Sequence, residues 1–252
     1  MVLVNYFTCA LIGLVFLVRN SEGIQFPGPE LLALIVLWGL LFISMFSALA
    51  YVTSQWGVAT GSLSSRLSLI IPFVYFSALS GEVPGLLSLV GVILAISSVV
   101  VNSLSAKTKN SGGPTDRWLV PAVFLGFGAV DIVLHYLNEF AGELPFSVLT
   151  GALFFVAGIA GLAYQLIRYR RLPSLENTKM GLVLGLVNFI AIFVFFYALQ
   201  SLDIPRNKLF AINAIAILLT SNLLALVIWP QKLPRTKIIA LILGLLAIIA
   251  LI

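Results

Sequence analysis

Asp131, His135 and Asn138 stand at i, i+4 and i+7 of one long apolar run, so on a helix they share a face. A histidine exchanges a proton near neutral pH, and a carboxylate one turn away can share in that exchange. An Asp inside a membrane span costs about 2.5–3.5 kcal/mol, so it ordinarily faces a polar cavity or a partner. The sharper reading is a proton- or cation-coupling pair, Asp131 and His135, lining a pathway. The plainer one has both groups in the last two turns, capping or snorkelling at the outer interface.

A second set is uncharged. Ser44, Ser47 and Tyr51 lie in one apolar run, Asn188 and Tyr197 in another, and Asn213, Thr220, Ser221 and Asn222 in a third. Such side chains can hydrogen-bond a polar substrate across a cavity, or they can tie helices together. Tyr51 and Tyr197 also suit an interfacial aromatic belt. Arg66, one to two turns inside its run, suits snorkelling or, alternatively, holding an anion.

Several chemistries have no residues to run on. The chain lacks a Walker-type Gly-Lys-Ser/Thr loop, a His-Glu-x-x-His helix and a Gly-x-Ser-x-Gly elbow. It has one His and one Cys, so no cofactor, no metal site and no enzyme active site are expected. Cys9 stands alone, which excludes an intrachain disulfide.

The elements that must carry these residues follow from composition. Of 252 residues, 61% are hydrophobic and 9% charged, with mean hydropathy +1.13. A soluble domain carries about 25% charged residues. A soluble enzyme, a disordered chain and a disulfide scaffold are excluded, and an all-α integral membrane protein is expected. The net charge of +5 does not indicate a nucleic-acid partner, because the basic residues sit in the gaps between apolar runs. The partner is the lipid bilayer. Met1–Val18 lacks a basic n-region and a cleavage site, so it reads as a span and not as a signal peptide.

Nine runs suit transmembrane helices: 2–18, 29–54, 59–80, 83–104, 118–139, 145–168, 178–201, 206–229 and 235–252. Pro84, Pro121, Pro145 and Pro205 fall in first turns, where a missing N–H costs nothing. Pro72 falls inside 59–80 and should kink that helix, freeing a carbonyl. The loops are short. The longest, 107–117 with Ser111-Gly112-Gly113-Pro114, reads as a linker.

An offset of 146 brings Gly39 onto Gly185, Tyr51 onto Tyr197 and Pro84 onto Pro230 without a gap. Run 29–54 then overlies 178–201, 59–80 overlies 206–229, and 83–104 overlies 235–252. Run 2–18 matches 145–168, while 118–139 has no partner. The reading is a four-helix first repeat (1–106), the linker, and a five-helix second repeat (118–252). Five is odd, so the repeats are inverted in the membrane, the plan of many secondary transporters. A counterpart of 118–139 would precede Met1, and an upstream start codon is expected to supply it.

Val4-Asn5-Tyr6, Gly126-Phe127-Gly128-Ala129-Val130-Asp131 and the order Tyr51, Pro72, Gly81-Glu82, Gly91 carry a family resemblance. The chain resembles EamA-type transporters of the drug/metabolite transporter superfamily over nearly its whole length, apparently without their first helix. The resemblance implies ten helices in two five-helix repeats, export or uptake of small metabolites, and a role for Asn5 and Tyr6.

Lys107, Lys109, Arg117, Arg168, Arg170, Arg171, Lys179, Lys232, Arg235 and Lys237 gather on one side of the alternating spans. Arg19, Arg206 and Lys208 lie on the other. The positive-inside rule makes the first side cytoplasmic, in an inner membrane. Spacings such as Gly57-x-x-x-Gly61, Ala157-x-x-x-Gly161 and Gly181-x-x-x-Gly185 predict close helix packing and offer a homodimer face. The expected function is secondary transport of a small polar metabolite or drug by alternating access, with proton coupling as one form of it. The alternatives are a membrane-embedded enzyme acting on a lipid-linked substrate, or a non-transporting scaffold or truncated remnant.

Overall fold

The computed structural model describes residues 2–19, 28–81, 85–104, 118–141, 144–169, 178–201, 206–228 and 234–251, and every regular element among them is helical. In chain order these are α1 (Val2–Arg19), α2 (Pro29–Trp56), α3 (Val58–Leu67), α4 (Ile70–Ser80) and α5 (Leu86–Leu104). They continue as α6 (Leu119–Phe140), α7 (Phe146–Tyr169), α8 (Thr178–Ser201), α9 (Arg206–Ile228) and α10 (Arg235–Leu251). Pro84, Pro205 and the linker 107–117 lie outside the described residues.

Six stretches are long and apolar enough to cross a membrane: Val2–Arg19, Pro29–Trp56, Val58–Leu79, Leu119–Leu137, Phe146–Ile167 and Thr178–Phe195. Their outward faces are apolar as well. On α8 the buried residues are Gly181, Gly185 and Phe189, four apart, while Leu182, Val183, Leu186, Val187 and Ile190 face outward. A surface of that kind suits hydrocarbon, not water. The protein is membrane-embedded.

The chain forms two compact units. One comprises Met1–Ser44 and Val133–Asp203, the other Met45–Ile132 and Ile204–Ile252, so each draws on both halves of the sequence. In the first unit α1 packs on α7 and α8. Leu3 lies near Gly161, Phe7 near Gly158 and Gly13 against Gly151, an antiparallel register. At the crossing the backbones touch: a Cβ on Gly13 would stand 2.3 Å from the Gly151 Cα. To one side of it, Tyr6, Phe42 and Phe154 form an aromatic cluster with centroids 5.4–6.4 Å apart. The Cys9 thiol points to the Gly185 carbonyl at 3.1 Å, and Phe16 stacks on Phe189 and Phe193.

In the second unit α5 packs along α10, and α3 packs on α5, α9 and α10. Leu63, Leu67, Ile70, Ala95, Leu218, Ala247 and Ile248 form its core. Val52 and Trp56 of α2 meet Val120 and Val123 of α6. Gly57, at φ +92°, makes the tight turn from α2 to α3, a conformation a side chain would resist. The Lys237 ammonium donates to the Trp56 carbonyl, capping the end of α2.

The expected kink at Pro72 is a break. Without an N–H, Pro72 cannot bond the carbonyl of Ser68, and α3 ends at Leu67. The freed carbonyl is taken by the Ile71 N–H at 2.9 Å, a tighter 3₁₀-type bond, before α4 resumes with Phe73 N–H on Leu69 O at 3.3 Å. Run 59–80 is thus one stretch in two helical pieces.

Candidate functional site

α3 is unusual among these apolar helices. Thr60, Ser64 and Ser68 recur at four-residue spacing, and all are buried. Their hydroxyls bond backwards along the chain: Thr60 to Trp56 O at 3.1 Å, Ser64 to Thr60 O at 2.9 Å and Ser68 to Ser65 O at 2.6 Å. Self-satisfaction of this kind lets hydroxyls sit in a dry span at little cost. Asn102 of α5 joins the row, donating to Thr60 O at 3.1 Å and Ser64 Oγ at 3.3 Å. One turn earlier on α5, Ser98 donates to Ala240 O of α10 at 2.6 Å. The result is a polar seam through the second unit.

The charged groups lie beside the break. Arg66 is in the last turn of α3, and its Nε is buried without a hydrogen-bond partner. The residue as a whole is half-buried. The charge acting on Arg66 is the Asp131 carboxylate on α6, and the reverse. No direct ion pair closes that gap. The one pair closer than 4 Å among the described residues joins His135 to Glu139.

Glycines explain how α6 brings Asp131 there. A Cβ on Gly128 would stand 2.4 Å from the Ile71 Cβ on α4, and one on Gly126 would stand 1.8 Å from the Met45 sulfur on α2. The glycines admit both neighbours to the α6 backbone. Asp131, three residues beyond Gly128, shares its face, the side towards the broken helix.

The other expected residues are dispersed. His135 is on α6, 39% exposed, with Nε2 at 3.3 Å from Glu139 Oε1 and its ring against Tyr136. Its observed carboxylate is therefore Glu139 at i+4. Ser47 and Tyr51 are exposed on α2, Tyr51 edge-on to Trp56. Tyr197 is exposed on α8, where Asn188 is half-buried. Asn213 is half-buried on α9, and the side chains of Asn222 and Asn138 lie outside the described residues. Asn5 and Tyr6 are buried in the first unit, within the packing of α1.

Sequence reasoning passed over Thr60, Ser64, Ser68, Ser98 and Asn102. Their signal was visible: hydroxyls at i, i+4, i+8 in one run, and Ser98 and Asn102 four apart in another, each on one helical face.

No model of a known protein family matches the chain. It is similar to an uncharacterised protein of Haemophilus influenzae, with 22% identity over 257 residues, spanning 98% of this chain and 86% of the other.

Proposed function

We propose that the chain is a multi-pass secondary transporter of the drug/metabolite type, moving a small polar solute by alternating access across nine spans in two inverted repeats. The observation that carries this is a helix broken in mid-span at Pro72, with Arg66 in the last turn before the break and Asp131 three residues beyond the α6 glycine that packs on Ile71 after it. Ionisable residues at such depth mark solute and ion pathways, and interrupted helices mark binding sites in transporters.

The repeat has support from the packing. At the 146 offset α1 overlies α7, α3 overlies α9 and α5 overlies α10, and each of these pairs is in contact. The α1 and α7 mates run antiparallel, as inversion requires. Ser98 overlies Gly244, and a Cβ on Gly244 would lie 3.3 Å from Ser98 Oγ, so these two mates face each other. Helices related by a two-fold axis meet in this manner where the axis passes between them. The positive-inside rule sets the basic loops in the cytoplasm.

Proteoliposomes of the purified chain test the reading. Preloaded with an unlabelled metabolite mixture, they should accumulate labelled solute by counterflow. Asp131→Asn should keep counterflow and lose accumulation driven by a proton gradient. Absence of counterflow across amino acid, sugar and nucleoside mixtures sinks the transport reading. Unimpaired gradient-driven uptake by Asp131→Asn sinks the coupling role.

A further inference from the structure

Resting on that transport reading, we propose that Glu139 and His135 form the proton-entry relay to Asp131, carrying protons along α6 from its outer end. All three groups lie on one continuous helix, so the helix itself sets their spacing. At i, i+4 and i+8 they share a face, with about 6 Å of axial rise between neighbours. The outer step is a contact: His135 Nε2 stands 3.3 Å from Glu139 Oε1. Helical side chains lean towards the helix N-terminus, which sets Glu139 over His135 and carries the imidazole towards the turn of Asp131.

The surroundings change in order along the line. The apolar stretch of α6 ends at Leu137, so Glu139 stands beyond it, its side chain 56% exposed. His135 is in the last turn of that stretch, and Asp131 is half-buried one turn deeper. Carboxylates and histidines in series inside spans serve as proton relays. Glu139 takes a proton from the aqueous side and passes it to His135 Nε2. The imidazolium then releases its Nδ1 proton to the Asp131 carboxylate, leaving a neutral imidazole and an ionised Glu139. A turn of the ring presents the bare nitrogen to Glu139 for the next proton. The charge acting on the inner end is that of Arg66 on α3, and the Tyr136 ring lies against the imidazole. Glu139 is at the end of α6 remote from the basic linker, so by the positive-inside rule protons enter from outside.

The test uses proteoliposomes of the full chain loaded with a pH-sensitive dye, with amino acid, sugar and nucleoside mixtures supplied outside over a range of pH. Solute-dependent acidification of the lumen is expected for the native chain. In His135→Ala it should fall several-fold, and external imidazole, a diffusible replacement for the lost ring, should restore it. Glu139→Gln should slow it most at alkaline pH, where protons are scarce and an exposed acceptor counts. Acidification by His135→Ala at the native rate overturns the relay and leaves the transport reading intact. A loss that imidazole does not reverse gives His135 a structural part and overturns the relay too, as does a Glu139→Gln pH profile parallel to the native one. Native vesicles that show counterflow without acidification overturn proton coupling, the relay included. Native vesicles that show neither overturn the transport reading itself.

Discussion

The side-chain amide of Asn102 on α5 donates to the backbone carbonyl of Thr60 on α3 at 3.1 Å, at a carbonyl that also receives the Ser64 hydroxyl. The bond ties two spans together, yet Thr60 O keeps a partner when Asn102 is removed. Interhelical hydrogen bonds in membranes average about 0.6 kcal/mol and reach about 1.7. Asn102→Leu, close in volume, should therefore cost no more than about 1–2 kcal/mol in reversible unfolding from micelles. A loss above about 3 kcal/mol would mean that the seam carries far more of the stability than its geometry indicates.

The crossing of α1 and α7 should be less tolerant. A Cβ on Gly13 would stand 2.3 Å from Gly151 Cα and 2.9 Å from its N, both backbone atoms that cannot swing aside. Gly13→Ala forces the helices apart, and overpacking costs about 1–3 kcal/mol. Gly85→Ala is the control, because nothing lies within 4 Å of its Cβ position. It should stay within about 0.5 kcal/mol of the native chain. Equal stability of the two variants would contradict the close approach.

Element boundaries were legible because their determinants are local. Run 2–18 became Val2–Arg19 and run 206–229 became Arg206–Ile228, since bilayer thickness, proline and charge punctuate the chain directly. The facing of polar residues was not legible. α8 is apolar all round, so no stripe told that Tyr197 points outward or that Gly185 points in. The partner of His135 was ambiguous for a different reason. Asp131 and Glu139 lie four residues to either side, and spacing alone cannot choose between them.

Arg66 and Asp131 lend themselves to a double-mutant cycle. Removing one charge leaves the other in the bundle without its counter-charge, which is unfavourable in a medium of low dielectric constant. Arg66→Gln and Asp131→Asn should each destabilise by about 1 kcal/mol, and the double variant by less than their sum. Strict additivity in the unfolding free energies would show that the two charges do not act on each other.

Pro72 bears on motion as well as on shape. Pro72→Ala restores an N–H within reach of Ser68 O and permits α3 and α4 to join as one helix. If the break serves alternating access, counterflow by this variant should fall several-fold while Tm stays equal or rises. A transport rate unchanged by a joined helix would mean that the interruption is only a packing feature.

The contact of Lys237 with the Trp56 carbonyl fixes which ends of the second unit lie together. It places the α2–α3 turn at the same end as the start of α10. Nearby Val52 and Trp56 meet Val120 and Val123, so the start of α6 belongs to that end as well. The starts of α6 and α10 adjoin basic segments, with Arg117 before one and Lys232 before the other, which are expected to be cytoplasmic. With Cys9→Ser as background, cysteines introduced at Ser54 and Arg235 should both react with a membrane-impermeant maleimide in inverted vesicles. Neither should react in intact cells. Labelling of both from outside would reverse the orientation and leave the fold intact. Labelling of the two from opposite sides would contradict the Lys237–Trp56 contact itself, because residues that share one end of a helical unit cannot face different compartments.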